Sequence, residues 1–272
     1  MTIRTERRIA IAGLGAIGKV LAHQLDAGQV PGCRLVAVSG RDPDKSRQFT
    51  ETLRTPVPVV PLSALEKYAD VVIECAPSAL LRQVVEPVLL AGKQVVVLSV
   101  GALLDAPELI ELAQENQGQI LVPSGALLGL DAVTAAAEGT IASVKMVSRK
   151  PPIGFKGAPY IDQNGIDLDA LTEPLMLYAG PARDAAKGFP ANLNVSVALS
   201  LAGIGADQTQ IEVWADPNVV RNTHHIEVVS DSALLHMTIE NIPSENPKTG
   251  RITAQSVMAL LRKLSAPVRV GT

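Results

Sequence analysis

Ten residues from Ile9 to Gly18, I-A-I-A-G-L-G-A-I-G, constrain this chain more than any other stretch. An apolar, β-prone run breaks into G-x-G-x-x-G and passes straight into a helical pattern at Lys19, Val20, Leu21 and Leu25, the strand–turn–helix context this fingerprint requires. Gly13 allows the tight turn out of the strand, Gly15 lets the backbone approach a pyrophosphate, and Gly18 lets the helix pack closely on the strand. Ala16 and Ile17 stand at the helix start, where unpaired N–H groups and the helix dipole favour anions. The motif predicts a dinucleotide-binding unit. A glycine-rich turn without a ligand is the plainer alternative, and the chain that follows speaks against it.

That continuation alternates strand and helix. Residues 33–39 read as a second strand, 42–53 as a helix capped by Asp42 with Pro43 in its first turn, and 57–60 as a short, proline-flanked third strand. Residues 70–75 form a fourth strand, followed by a helix from a Ser78 cap to about Ala91. Residues 94–99 and 119–122 are the fifth and sixth strands, with a helix over 107–116 between them. Such alternation implies βαβ units in a parallel sheet, with the ligand at the carboxyl ends of the strands. Small or polar residues follow three of those ends, at 75–78, 99–102 and 123–126, so together these stretches, Ala76 and Ser99 within them, are candidates to line the dinucleotide cleft, although each alone reads first as a tight turn.

The second strand also bears on which dinucleotide is used. An NAD-selective site places an acidic residue at its end, roughly 20 residues beyond the glycines, to bind the ribose 2′-hydroxyl. Here the strand ends Val38-Ser39-Gly40-Arg41-Asp42, with Gly40 in the acidic position. Ser39 and Arg41 are suited to a 2′-phosphate, and the expectation is NADP accepted at least as well as NAD. The opposing reading is that Gly40 only turns the chain and Asp42 only caps a helix.

Composition narrows the classes. A chain of 272 residues suits two modest domains, and 47% hydrophobic with only 3% aromatic residues means a core of small aliphatics, as buried parallel strands need. The net charge of −3 comes without a basic block, which argues against a nucleic-acid partner. The short charged N-terminus and the absence of a long apolar run predict no signal peptide and no membrane span, hence a soluble cytoplasmic protein. Cys33 and Cys75 form no C-x-x-C and are expected as buried free thiols; no residue cluster has metal-ligand spacing, and no hydrolase motif occurs.

From about residue 127 the pattern changes to strands at 141–148, 175–179, 210–215, 225–229 and 234–239, with helices at 182–187 and 193–201. The fold class is therefore α/β: a Rossmann-type parallel-sheet domain over 1–125 and a second, α+β domain with a mainly antiparallel sheet over 126–250. The aliphatic helix V-S-V-A-L-S-L-A is expected to be buried on nearly all sides, and a last helix over 252–265 to return to the first domain. The aliphatic sheet suggests a homodimer.

The runs Pro123-Ser124-Gly125-Ala126, Ser148-Arg149-Lys150-Pro151, Gly180 to Ala186, Phe189-Pro190-Ala191-Asn192-Leu193-Asn194-Val195, Ala215-Asp216-Pro217, Asn222-Thr223-His224 and Asn246-Pro247-Lys248-Thr249, in this order, resemble the L-aspartate dehydrogenase family. The resemblance spans nearly the whole chain. It implies oxidation of L-aspartate by NAD or NADP to iminosuccinate, which hydrolyses to oxaloacetate and ammonia or feeds quinolinate synthesis and so NAD biosynthesis. It also implies cofactor contacts at Ala126 and Asn194 and a catalytic histidine at His224. The chain departs from the family's pattern at Leu128 and Gly250. Without the resemblance, the glycine loop and domain order equally permit a related oxidoreductase acting on another small acid or semialdehyde, or a non-catalytic dinucleotide sensor.

The residues themselves supply the same chemistry. Taking a hydride from a carbon bearing an amine needs a proton acceptor, and histidine is the usual one near neutral pH. Of the four histidines, His23 reads as a helix-surface residue and His236 as solvent-facing. Neighbours on a strand face opposite ways, so only one of His224 and His225 can face a given pocket, and the pattern alone does not choose. Glu74 and Asp131 are other candidate bases, Asp131 reading equally as a helix-terminal charge. Arg149, Lys150 and Lys248, with Thr249 beside it, are candidates to hold a dicarboxylate, a solvated surface role being as open for each. Asn194 opens an apolar helix, where its amide either meets a ligand or caps the helix.

Overall fold

The computed structural model describes residues 6–190, 193–242 and 250–271. Two compact units emerge, the first closing at Pro123 and taking back Ala254–Val270, the second formed by Ser124–Thr253 with the extreme C-terminus. The first runs β1 (Arg7–Ala12), α1 (Ala16–Asp26), β2 (Cys33–Ser39), α2 (Pro43–Thr50), α3 (Leu65–Tyr68), β3 (Val71–Glu74), α4 (Leu81–Leu90), β4 (Gln94–Val97), α5 (Glu108–Glu115) and β5 (Gln119–Leu121). Its five strands are all parallel in the order β2-β1-β3-β4-β5. Ile9 to Ala12 and Val71 to Ile73 have no exposed surface, because strands covered by helices on both faces must be apolar at every position.

Two details differ from the sequence reading. Residues 57–60 do not form a strand; Val59 makes a single parallel bridge to Val38, flanked by Val38 N–H to the Pro58 carbonyl at 3.1 Å and Val60 N–H to the Val38 carbonyl at 2.9 Å. This segment lies beyond β2, where a sixth strand would extend the sheet, but Pro56, Pro58 and Pro61 lack the N–H groups a ladder needs. The second concerns Ser78, which does not cap a helix: a 3-10 turn over Ser78–Leu80 leads into α4 with no side-chain cap. Asp42 does cap α2, accepting from Asp44 N–H at 3.0 Å and Lys45 N–H at 3.1 Å.

The second unit runs α6 (Leu130–Ala137), β6 (Ile141–Lys150), α7 (Pro159–Gln163), β7 (Leu175–Pro181), α8 (Ala182–Gly188), α9 (Asn194–Ala202), β8 (Gln210–Ala215), β9 (Asn222–Ser230) and β10 (Leu234–Asn241). Its sheet has the order β10-β9-β6-β8-β7, antiparallel throughout except for β6 beside β8. Along β6 the buried phase is Val144, Met146, Ser148 and Lys150; along β9 it is His224, Ile226 and Val228. Helices α6 and α8 lie over the sheet strands and α9 packs against both, buried from Ser196 to Ser200 while Leu201 emerges at its end. Helix α10 (Ile252–Ser265) sends Val257, Met258 and Leu261 into the first unit's core beside Ile9, Leu35 and Val38, and Ser265 Oγ donates to the Pro31 carbonyl at 3.0 Å. Both cysteines are free, Cys33 buried and Cys75 half-buried.

Among the glycines of the first unit, that of the helix start leaves the least room for a Cβ. A Cβ on Gly18 would stand 1.9 Å from the Gly13 carbonyl oxygen, whereas one on Gly15 meets nothing within 4 Å. Gly18→Ala is therefore expected to destabilise the fold by about 1–3 kcal/mol, the usual cost of overpacking, and Gly15→Ala to leave the thermal midpoint unchanged. Equal midpoints for the two variants would contradict this packing.

Candidate active site

Backbone geometry builds the candidate phosphate cradle of the first unit. Gly13 turns the chain at φ +103°, a conformation open to glycine, and a Cβ there would sit 2.5 Å from the Cys75 carbonyl oxygen. Its N–H donates to the Ser39 carbonyl at 2.8 Å, tying the turn to the end of β2. Gly15 is the N-cap of α1, with no side-chain hydrogen bond at the cap. The first-turn N–H groups, including those of Ala16 and Ile17, are thus left for a ligand, with open space above Gly15. These features fit the phosphates of a dinucleotide.

Glu74 braces the neighbouring turns that carry Ala76 and Ser99. Its buried carboxylate accepts from Leu98 N–H at 3.1 Å, Ser99 N–H at 2.8 Å and Ser99 Oγ at 3.1 Å, and Ser99 Oγ also lies 3.4 Å from the Ala76 carbonyl. Burial pushes the carboxyl above its ordinary range, while these hydrogen bonds oppose the shift. At the end of β2, Ser39 is buried and Arg41 is exposed, without an ion-pair partner among the described residues. Gly40 is packed: a Cβ there would stand 2.2 Å from Ser46 Oγ, itself donating to the Asp42 carbonyl at 2.7 Å.

The second unit gathers polar side chains on the buried face of its sheet. His224 is the direct cross-strand partner of Ser148, and Lys150, two residues further along β6, shares their face. Ser148 is 0%, Lys150 2% and His224 2% exposed. At the edge, Asn241 is paired in register with Asn222 and its Nδ2 donates to the Ala126 carbonyl at 3.0 Å. Ser148 Oγ, His224 Nδ1 and Asn241 Oδ1 are buried without a hydrogen-bond partner among the described residues. Each such atom costs about 1–3 kcal/mol, so three on one sheet face mark a place shaped for a polar ligand. Burial pushes the Lys150 ammonium down to about 8, with the Phe155 ring centroid 5.9 Å from Nζ. Burial, then the charges of Lys150 and His225, lower His224 to about 3, so its imidazole is neutral at physiological pH.

Comparison with known proteins agrees with both halves. The model of the homoserine dehydrogenase NAD-binding domain matches residues 13–123, and that of the aspartate dehydrogenase C-terminal domain matches residues 131–264. L-aspartate dehydrogenase 3 of Bordetella bronchiseptica is 72% identical over 272 residues, covering 100% of both chains. The chain belongs to the L-aspartate dehydrogenase family. A further member, from Bradyrhizobium diazoefficiens, is 60% identical, with 100% of this chain and 96% of that protein covered. In fold, the chain is similar to the solved aspartate dehydrogenase of Thermotoga maritima, with a TM-score of 0.73 at 21% identity over 97% of this chain and 99% of that one.

Within this family member the sequence-derived candidates separate. Lys150 and His224 come together, whereas Arg149, one residue from Lys150, points to the opposite face, 4.5 Å from the Trp214 ring and 3.4 Å from Asp216. His225 is likewise on the outer face, its Nδ1 2.9 Å from Thr238 Oγ1. His236 is exposed, 3.5 Å from Glu227, and His23 is exposed with its ring 5.1 Å from that of Phe49. Asp131 lies exposed in the first turn of α6. Asn194 is the first residue of α9 rather than its cap, which is Leu193. Lys248 and Thr249 lie outside the described residues, as does Asn192. Asn241 was not singled out from the sequence; its signal is a polar residue in the inward phase of an alternating strand. A Cβ on Gly250 would come 3.0 Å from Asn241 Cβ, so a side chain at this family departure presses on that amide. Among the described residues no His/Cys/Asp/Glu group could hold a metal, and no helix is long and apolar enough to cross a membrane.

The neutral imidazole has a consequence for stability. Below its ordinary value of 6.5 the unfolded chain binds a proton at His224 that the folded chain refuses until about 3, so this residue's contribution to stability falls as pH drops through that window. Replacing it by a neutral amide, His224→Gln, is expected to flatten the denaturation midpoint between pH 6.5 and 4.5 relative to wild type; parallel curves would show that His224 takes up its proton as readily in the fold as in the unfolded chain.

Proposed function

We propose that this protein oxidises L-aspartate with a pyridine dinucleotide to iminosuccinate, which hydrolyses to oxaloacetate and ammonia or supplies NAD biosynthesis. The observation that carries this reading is the buried pair of Lys150 and His224 on one sheet face of a member of this family. A cation beside a neutral imidazole suits an amino acid bearing two carboxylates. Gly13, Gly15 and Gly18 with the N–H groups of Ala16 and Ile17 hold the pyrophosphate; Ala76, Ser99, Ala126 and Asn194 are the further cofactor contacts. The bound dinucleotide supplies the hydride acceptor. His224 meets the substrate amine and mediates its proton transfer as hydride leaves, while Lys248 and Thr249 are candidates for the second carboxylate and Arg149 is turned away from it. The reading extends to a cytoplasmic homodimer.

Purified protein with L-aspartate and either cofactor, followed by reduced-nicotinamide absorbance, tests this directly. Aspartate is expected to be turned over far better than alanine or glutamate, and His224→Ala to lower kcat by about 10²- to 10⁴-fold with little change in dinucleotide affinity. His225→Ala, altering only the outer face, is expected to be mild. Equal turnover of the three amino acids, or the reverse ranking of the two histidines, would refute the assignment.

The cofactor reading is that NADP serves at least as well as NAD. Two features support it: a side chain at Gly40 would have to displace the Ser46 hydroxyl from its hydrogen bond to the Asp42 carbonyl, and Asp42 is committed to the cap of α2. Ser39 and Arg41 then face the 2′-phosphate. Arg41→Ala is expected to lower kcat/KM for NADP and spare that for NAD; strong NAD preference in wild type, or an NADP rate indifferent to the substitution, would reject it.

A further inference from the structure

The proposed oxidation of aspartate, on which this inference rests, leaves one buried group of the second unit without a role. Asn241 closes β10 on the inward phase of that strand, 3% exposed, and none of the family-like runs includes it. Its Nδ2 donates to the Ala126 carbonyl at 3.0 Å. A carbonyl can only accept, so this bond decides which end of the amide is which and turns Oδ1 away from Ala126. That oxygen is buried and meets no donor among the described residues. Gly250 flanks it: a Cβ there would stand 3.1 Å from Oδ1, so the glycine leaves the oxygen uncovered on that side.

The strand register sets this acceptor beside His224. Asn241 pairs with Asn222 and Ile239 with His224, which makes Asn241 and His224 diagonal neighbours on one sheet face, about 7–8 Å apart in the backbone. Ser148, across from His224 on β6, adds an Oγ that is likewise unmatched among the described residues. Chemistry then selects what Oδ1 can take. An amide oxygen only accepts, so it disfavours the carboxylates of aspartate, which accept as well. The N–H groups of aspartate all lie on its α-nitrogen. Being uncharged, the amide accepts from an ammonium or an amine alike and does not lock the substrate in its protonated form, as a carboxylate would.

We propose that Asn241 recognises the amine of the substrate. Oδ1 accepts an N–H from the α-nitrogen that His224 also meets, and the Ala126 carbonyl, by holding Nδ2, keeps the amide from turning its donor end to the site. Asn241 is thus a specificity-determining residue, selecting the amino diacid over the same diacid without the amine.

Succinate, which is aspartate lacking the amine, separates this contact from a merely structural one. With the enzyme saturated by reduced dinucleotide, so that no turnover occurs, both ligands are titrated into wild type, Asn241→Leu and Asn241→Asp, and the ratio of their Kd values is read. Loss of the Ala126 tether weakens both ligands together and cancels in that ratio. Wild type is expected to prefer aspartate, and the Leu variant to lose about 10- to 10²-fold of the preference, the usual worth of a hydrogen bond to a charged group. The Asp variant keeps an oxygen at the Oδ1 position but gives up the donor to Ala126, so its ratio is expected at or above that of wild type; it carries the test if the Leu variant does not fold. A Leu variant weakened equally towards both ligands, or an Asp variant whose ratio collapses, leaves Asn241 as a tether for Ala126 and overturns the proposal. So does a wild type that oxidises aspartate yet binds succinate as tightly. Reduced dinucleotide with an acetyl group replacing the nicotinamide carboxamide, and so without its N–H groups, supplies the last arm. Its affinity relative to the normal cofactor is expected to be the same in wild type and the Leu variant; a difference assigns Oδ1 to the cofactor and rejects the amine contact. A wild type inert towards aspartate removes both this reading and the proposed oxidation.

Discussion

An ammonium and an imidazole buried on the same face of one β-ladder are costly to fold around, because desolvation penalises charge there more than any neutral side chain. The second unit accepts that cost at Lys150 and His224, and the surrounding architecture answers it. The sheet period of two sets Ser148, Lys150 and His224 inward, while β8 opposite Lys150 presents only Ala215 and Phe155 lies nearby. The outward phase is an ordinary ionic surface, with Arg149 on Trp214 and Asp216, and Lys145 2.7 Å from Glu212. One residue of register shift would exchange the two faces and bury Arg149 and His225 instead.

The first unit solves the converse problem with hardly any side chains. A phosphate needs donors at close range, and the β1–α1 turn provides them from the backbone by removing every Cβ that would intrude. Gly13 meets the Cys75 carbonyl and Gly18 meets the Gly13 carbonyl, while Gly15 faces open space. The one charged group that braces the neighbourhood is Glu74, whose carboxylate spans the turns after β3 and β4 and holds Ser99 in place. A carboxylate at a strand end makes Glu74 a candidate base in the sequence, but three donors at its oxygens make it a brace.

Particular elements show why some features were legible and others not. The β1–α1 fingerprint could be read directly because its glycines keep a fixed local spacing, although only Gly18 answers a steric demand made a few residues away, that of Gly13 meeting Cys75 far along the chain. Asp42 and its cap were legible for the same local reason. The strand expected at 57–60 does not form because its apolar residues suit pairing while three prolines withhold the donors for it. Strand β6 runs on to Lys150, two residues past the end its pattern suggests, because polar residues on a buried phase look like a strand's end. The same effect hid the start of β9 at Asn222 and the inward position of Asn241.

By itself the sequence determined the two-part α/β plan, the glycine turn, the free thiols and the motifs that carry the family resemblance, all of which follow from periodicity or from interactions a few residues long. Only the tertiary structure decided which neighbour of each polar pair faces inward. His224 over His225 and Lys150 over Arg149 depend on the register of β6 against β9 and β8, a pairing between segments dozens of residues apart. The depressed lysine and the neutral histidine were likewise beyond the sequence, because desolvation is set by what surrounds a side chain in space and not by its neighbours along the chain.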